Sequence, residues 1–403
     1  MSPLGESSPR APEDSDAAAC PIGIARLSKR AFDGEDLKPL WRGLMDRYVV
    51  GDDDAATLMD LATLEQLFGD VESGLVCQRA ALDRQKLYRT PAAVEPAALR
   101  LLALAAAGDI GANTPLEFLL EGSDVALDTL YVVPGCTLPA KLPPFDLAIV
   151  AVGESDANRP VLAEIARITS SWLEPVLNDP ARIAALSRAS VAAMMQDVPG
   201  LLAPPTRRVA RAALAREILA FPLIMRPVDS HAGRGLARLE GRAMLETYLE
   251  AHGDDSFYIA PFIDYRSADG LFRKYRIAFI DGAPYACHMA ICDQWMIYYL
   301  NAGMRESAAK RAEEARFMAD FDADFARRHG AALDAIAERI GLDYFAIDCA
   351  ELPDGRLLLF EADIAMIVHA MDPPEIFPYK GPQMRKVFDA FRAMLRRRAA
   401  HLS

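Results

Sequence analysis

No stretch of the chain stays apolar over the ~18–20 residues that a bilayer span requires, so a membrane-spanning protein is not expected. Cysteine is scarce: Cys20, Cys77, Cys136, Cys287, Cys292 and Cys349 are scattered, and no C-x-x-C pair occurs. That excludes a disulfide framework and a structural zinc site. Cys287-His288 with Cys292 is read as part of a strand and its following turn. There is no G-x-G-x-x-G, hence no dinucleotide fingerprint. Positive charge is also in deficit, with a net charge of -13, which argues against a nucleic-acid-binding surface. The first twenty residues lack the basic start and apolar stretch of a signal peptide. They predict a disordered tail over 1–30 and a cytoplasmic protein.

What is present is the composition of an ordinary globular protein, 52% hydrophobic and 25% charged over 403 residues, long enough for two or three domains. Residues 31–90 read as helical. Leu37, Leu40, Trp41, Leu44 and Tyr48 share one helical face. Leu58, Leu61, Leu64 and Leu67 form a second stripe, and Val71, Leu75 and Leu82 a third. The segments GDDDAATLMDLATLEQLFGD and VESGLVCQRAALDRQKLYR resemble a tetratricopeptide-type helical pair, which implies a docking surface for a protein partner. A small helical cap packed on the next domain is the other organisation these stripes allow.

Pro91 and Pro96 mark a boundary. Over 95–178, apolar runs at 100–108, 129–135 and 145–154 alternate with helical patterns at 114–120 and 159–169. This is the signature of a parallel α/β sheet. From 179 to 403 strands dominate. Hairpin turns are expected at Asp281-Gly282 and Asp354-Gly355, and a charged helical stretch at about 306–340. The closing helix ends in Arg396, Arg397 and Arg398, which suit a helix C-terminus electrostatically.

Four features of the last segment carry chemistry. Arg226 ends an apolar strand and precedes DSHAGRG, where Gly233 and Gly235 let backbone N–H groups approach polyphosphate oxygens beside a guanidinium. FYIAPFIDY reads as a hinge strand. Backbone groups from Ala260 to Phe262 would hydrogen-bond an adenine edge, and Asp264 or Asp269 would hold ribose hydroxyls. Lys274 and Arg276 point to one face of a strand, with Arg273 off that face, and two cations on a core sheet need an anion. Asp348, Glu361 and Asp363 lie on two strands of one hairpin. Three carboxylates gathered among apolar neighbours imply a hard cation, magnesium or manganese, held by oxygen ligands.

The ordered set of strand, cation and glycine loop, then hinge, then R-I-A-F-I-D-G, then Asp348 with Glu361-Ala362-Asp363, resembles the ATP-grasp superfamily. The likeness is to its glutathione-synthetase-like and ribosomal-protein-modifying ligase branches. It implies an α/β protein: an ATP-grasp fold preceded by a parallel-sheet α/β domain and a small helical N-terminal domain. It also implies ATP with magnesium or manganese, and an ADP-forming ligase joining a small-molecule or peptide carboxylate to an amine. Arg226 stands where the family has a phosphate-binding lysine, and Arg188 near another family cation. Lys274 replaces a common aspartate, and Pro261 a glutamate of the hinge. Arg276 matches the arginine that steadies the transferred phosphoryl group. Asp348 and Glu361 match metal carboxylates, and Asp363 replaces an asparagine. Asn301 with Gly303 falls in the anion loop. Trp295, Tyr298, Tyr299 and His288 fall in the acceptor pocket, and His369 is the candidate base. A non-catalytic nucleotide-binding protein and a kinase-like phosphotransferase are the other readings.

Overall fold

The computed structural model describes residues 18–51, 54–135, 138–139, 141–231, 233–299 and 301–400. Four helices come first: α1 (Ile24–Phe32), α2 (Lys38–Val49), α3 (Ala55–Leu67) and α4 (Val71–Arg84). Asp54 and Asp70 cap α3 and α4, each accepting a backbone N–H three residues on, from Thr57 and Ser73. α3 is buried on two sides. Leu58 and Met59 pack with Ala81, Leu82 and Tyr88, while Leu61 and Leu64 pack with Leu27, Leu37 and Leu44. Tyr48 and Val71, expected on inner faces, are exposed.

The expected tail over 1–30 needs correction in its second half. Ala19 bridges to Tyr88, and α1 buries Leu27 completely. Residues 1–17 lie outside the described residues. The helices also form a cap rather than a free unit. The N–H of Ala25 donates to Glu117 Oε2 (3.0 Å), Gly108 N–H to Gln78 Oε1 (2.8 Å) and Ile110 N–H to Gln66 Oε1 (2.9 Å).

Five strands then build the first sheet: β1 (Leu87–Thr90), β2 (Leu99–Ala105), β3 (Val125–Tyr131), β4 (Leu147–Val150) and β5 (Val176–Leu177), in the order β1-β3-β2-β4-β5. All pairs are parallel except β1 with β3. β1 therefore belongs to this sheet although it precedes Pro91. The apolar runs of β2 and β4 are buried on both faces, as strands of a covered parallel sheet are.

Beyond residue 200 come β6 (Leu201–Leu202), β7 (Arg207–Ala210), β8 (Leu223–Pro227), β9 (Ala237–Leu239) and β10 (Ser256–Pro261). β7-β10-β8-β9 is an antiparallel sheet with its own core, in which Leu223, Met225 and Phe257 pack with Leu245 of the helix Arg242–Ala251. β11 (Phe272–Ile280), β12 (Ala283–Cys292), β13 (Tyr344–Glu351) and β14 (Leu357–Asp363) form the third sheet, ordered β12-β11-β13-β14-β6. Its first hairpin turns through Asp281 (φ 52°) and Gly282 (φ 81°), the left-handed pair that a tight hairpin requires. The first and third sheets share one apolar core.

The C-terminal helix Lys380–Ala400 packs against β11 and β12. Its terminal arginines do more than complement the helix dipole. Arg396 pairs with Asp124 (2.7 Å), Arg397 with Asp281 (2.9 Å) and Arg398 with Asp343 (2.7 Å).

Candidate active site

The register of the third sheet sets the site. Arg276 of β11 lies opposite Asp348 of β13, and Asp348 lies opposite Glu361 of β14, so three charged side chains form one cross-strand row. Strand periodicity adds Lys274 and Asp363 to the same face. Lys274 Nζ stands 2.9 Å from Asp348 Oδ2, and Arg276 reaches Asp348 through Nε (2.8 Å) and Nη2 (3.0 Å). Arg276 Nη1 donates to the carbonyl of Ile367 (3.0 Å). Arg188, the first residue of the helix Arg188–Met194, pairs with Glu361. Arg226 Nη1 approaches the same carboxylate at 3.9 Å from the end of β8.

Burial opposes charge on Asp348, but Arg276 and Lys274 outweigh it and hold its carboxyl far below the usual range. Glu361 is likewise opposed by burial and held low by Arg188 and Arg226. Burial, and then Arg188, pull Arg226 down to about 10. Burial raises Asp363, whose Oδ1 accepts the N–H of Ala365 (3.0 Å). Four cations against three carboxylates leave a positive excess, which a polyanion would satisfy.

The glycine turn after β8 is built for close approach. Arg226 Nε donates to Ser230 Oγ (3.0 Å), and Ser230 Oγ donates to the Pro227 carbonyl (2.7 Å), so the turn is held from within. Gly233 adopts φ 71°, and a Cβ there would collide with the Tyr298 hydroxyl. Gly235, at φ 65°, returns the chain so tightly that a Cβ would stand 2.7 Å from Pro227.

The charged row and Gly233 line a cavity of about 630 Å³. One end is apolar, with Val191, Ile224, Ala260, Phe262 and Leu359 on its walls. The charged row forms the middle. His288, Tyr299, His369 and Lys380 line the other end, whereas Trp295, expected in an acceptor pocket, lies beside Phe262 with ring centroids 5.8 Å apart.

Most of the expected residues meet here, and the exceptions have physical causes. Asp264 is exposed and turned onto Arg266 (Nε–Oδ1 3.0 Å), away from the cavity. Asp269 is an exposed partner of Arg273 (2.7 Å). Asn301 is exposed, and its Oδ1 accepts the N–H of Tyr298 (2.9 Å), which closes its own turn instead of facing an anion. Gly235 shapes the turn without lining the cavity. The Phe262 N–H is already donated to the Pro222 carbonyl (3.1 Å), leaving its carbonyl and the Ala260 segment for a nucleobase. His369 does line the cavity, but burial pulls its pKa down to about 4, and its Nδ1 accepts the N–H of Met371 (3.1 Å). That makes it a weak proton acceptor near neutrality.

The expected three-carboxylate metal cluster is not assembled. Among the described residues no three His, Cys, Asp or Glu side chains group closely enough to hold a metal ion. Asp348 and Glu361 are turned onto cations. The donor chemistry nevertheless fits magnesium or manganese, since all three side chains offer oxygen. Asp363, moreover, is a half-buried carboxyl with no ion-pair partner among the described residues.

Three features carry no sequence signal. Phe32, at the end of α1, lines the cavity 6.0 Å from the His369 ring. Lys380 pairs with Asp372 (2.9 Å) and with the fully buried Glu314 (3.3 Å), which also accepts from Tyr379 (2.6 Å) and Tyr299 (3.1 Å). Glu154, in the loop that follows β4, is pushed up to about 7, chiefly by burial and further by Asp229 and Asp363.

No protein-family model and no curated protein sequence matches the chain. Solved structures resemble it at low identity. D-alanine–D-alanine ligase from Bacillus anthracis complexed with ATP is 14% identical, with 76% of this chain and 100% of that chain covered and a TM-score of 0.47. VanG D-Ala:D-Ser ligase from Enterococcus faecalis is 12% identical, with 74% and 99% covered and a TM-score of 0.47. A RimK domain protein ATP-grasp from Sphaerobacter thermophilus is 16% identical, with 73% and 97% covered and a TM-score of 0.40.

Proposed function

We propose that the chain is an ATP-dependent carboxylate–amine ligase that forms an amide through an acyl phosphate and releases ADP. The observation that carries this reading is the row of ion pairs on the cavity floor. Arg188 and Arg226 flank Glu361, and Lys274 and Arg276 flank Asp348, between an apolar end suited to a nucleobase and a second end suited to another substrate. A cavity of about 630 Å³ falls within the ~300–1,000 Å³ range of small-molecule sites.

In this reading the adenine lies along Ala260–Phe262, and the polyphosphate runs under the Gly233 turn towards Arg226 and Arg188. Its arrival draws the guanidinium groups from Glu361 onto phosphate oxygens, since a polyanion competes for the same charge-assisted hydrogen bonds. A substrate carboxylate oxygen attacks the γ-phosphorus, the bond to the β-phosphate oxygen breaks, and ADP leaves. Arg276 and Lys274 stabilise the charge on the transferred group. An amine lone pair then attacks the acyl carbon, phosphate departs, and the amine proton passes to solvent. The freed carboxylates Asp348, Glu361 and Asp363 would hold magnesium or manganese, which offsets polyphosphate charge. Positioning and electrostatics suffice, with no covalent nucleophile from the protein.

The test is metal-dependent ADP release against pooled carboxylic acids and amines, with hydroxylamine present to trap acyl phosphate as a hydroxamate. Tight ATP binding with neither ADP nor hydroxamate from any pool would leave a nucleotide-binding protein in place of a ligase. Phosphorylated product without hydroxamate would indicate a phosphotransferase.

A further inference from the structure

The far end of the cavity differs in character from the charged row. Its walls include Met366, Val368, Met371 and Met384, an apolar and largely thioether surface that adapts to a ligand's shape. Phe32 of α1 lines it as well, and the His369 ring is bracketed by Phe32 (6.0 Å) and Phe118 (6.2 Å). Gly111 stands on the same wall, in a loop fixed by Gln66 and Gln78 of α3 and α4. The helical cap thus supplies part of the cavity itself.

Two polar groups face this apolar end. His288 Nδ1 is buried without a hydrogen-bond partner, an expensive arrangement that a ligand atom would relieve. Arg276 stands where the apolar end meets the charged row, with Nη1 on the Ile367 carbonyl. Lys380 is shared between two carboxylates, Asp372 and Glu314, whereas Arg276 and Lys274 share the single carboxylate of Asp348, so the cationic excess lies on the Arg276 side.

We infer that this end binds a free small carboxylic acid with an apolar body. Its carboxylate lies toward Arg276, its body lies against Phe32 and the methionines, and one polar atom sits at His288 Nδ1. The inference rests on the ligase reading and narrows it. It assigns the activated substrate to small apolar acids or amino acids rather than to acidic side chains or protein tails. Phe32 sets the length of the body, which makes the N-terminal cap a determinant of specificity.

Direct binding separates this inference from the ligase reading. Calorimetry on the full chain, with a non-hydrolysable ATP analogue and magnesium present, would compare 3-phenylpropanoate, butanoate and glutarate. 3-Phenylpropanoate is expected to bind at least tenfold more tightly than glutarate. Phe32→Trp should weaken 3-phenylpropanoate at least tenfold and butanoate less than threefold. Phe32→Leu, the milder change, should reverse part of that preference, with affinity for the ATP analogue as the check of folding in both variants. Tighter binding of glutarate, or the same loss for both monoacids in Phe32→Trp, would overturn the inference even if the enzyme releases ADP. Selective binding of 3-phenylpropanoate without ADP or hydroxamate would instead uphold the subsite and remove the ligase reading.

Discussion

Replacing Glu361 with Gln should make the unliganded protein less stable and, at the same time, better at binding a metal-free polyphosphate. In the unliganded state Glu361 is the counter-charge for two guanidiniums, Arg188 in direct contact and Arg226 at 3.9 Å. At an effective dielectric constant of ~20, one unit pair at that distance is worth ~4 kcal/mol before desolvation. Removing one partner of a buried pair costs ~3–5 kcal/mol. With 27% of the Glu361 side chain and 19% of the Arg188 side chain exposed, solvent screening brings the loss to the bottom of that range or just below it, ~2–3 kcal/mol. A phosphate oxygen no longer has to compete with Glu361 for either guanidinium, and each charge-assisted hydrogen bond contributes ~1.5–3 kcal/mol. Tripolyphosphate in the presence of EDTA should therefore bind about tenfold or more tightly to Glu361→Gln than to wild type. Metal-dependent ADP formation should fall to background. Denaturant melts give the first quantity, calorimetry the second and a coupled ADP assay the third. Weaker tripolyphosphate binding by the variant under EDTA would refute the exchange of ion pairs on which the mechanism depends.

Other consequences can be measured separately. Gly233→Ala must adopt φ 71° and displace Tyr298; it should lower ATP affinity at least tenfold while costing ~1–2 kcal/mol of stability, read by nucleotide titration and melting. Arg226→Ala should weaken ATP by ~1.5–3 kcal/mol in the same titration, whereas Arg273→Ala, whose guanidinium pairs with Asp269 and Glu313, should leave ATP affinity within about twofold. Asp60 is raised to about 6, mainly by burial. A raised folded-state pKa gives stability that is complete below the unfolded value and fades as pH climbs through about 6, so the cap should lose up to ~3 kcal/mol between pH 4 and 7, measured by hydrogen exchange in α1 and α3. A chain of residues 92–403 lacks β1 and uncovers the loop held by Gln66 and Gln78, and should be recovered aggregated or without a cooperative melt.

Local patterns were legible wherever one face of an element is buried. The stripe of Leu58, Leu61 and Leu64 and the unbroken apolar runs of β2 and β4 state their own environments. The hairpin at Asp281-Gly282 follows from its turn chemistry alone. The alternation that puts Lys274 with Arg276, and Glu361 with Asp363, is likewise a property of a strand. What sequence does not contain is which ion answers a buried charge. The carboxylates of β13 and β14 implied a metal because nothing in their own hairpin balances them. The balance comes from Lys274 and Arg276 on β11 and from Arg188 and Arg226, more than a hundred residues away. Asp264 and Asn301 sit at suitable distances along the chain but spend their oxygens on Arg266 and on the Tyr298 N–H. Phe32 could not be found by periodicity, because it reaches the cavity only after α1 has packed beside Glu117 and Phe118.

The sheet β7-β10-β8-β9 keeps a core separate from that of the other two sheets, while the C-terminal arginines clamp the first and third sheets to each other. The molecule thus has one rigid jaw and one small jaw. The small jaw carries Arg226 and the Gly233 turn. Arg188, Lys274, Asp348 and Glu361 belong to the rigid one. Among the described residues the polar contacts across the bite include the 3.9 Å approach of Arg226 to Glu361, the pair of Arg208 with Asp156 (2.6 Å), and the N–H of Asp156 donated to Asp229 (3.0 Å). In the proposed ligase, a swing of the small jaw would break these polar contacts without opening either apolar core, so the grip on phosphate would be released and re-formed at the cost of a few ion pairs.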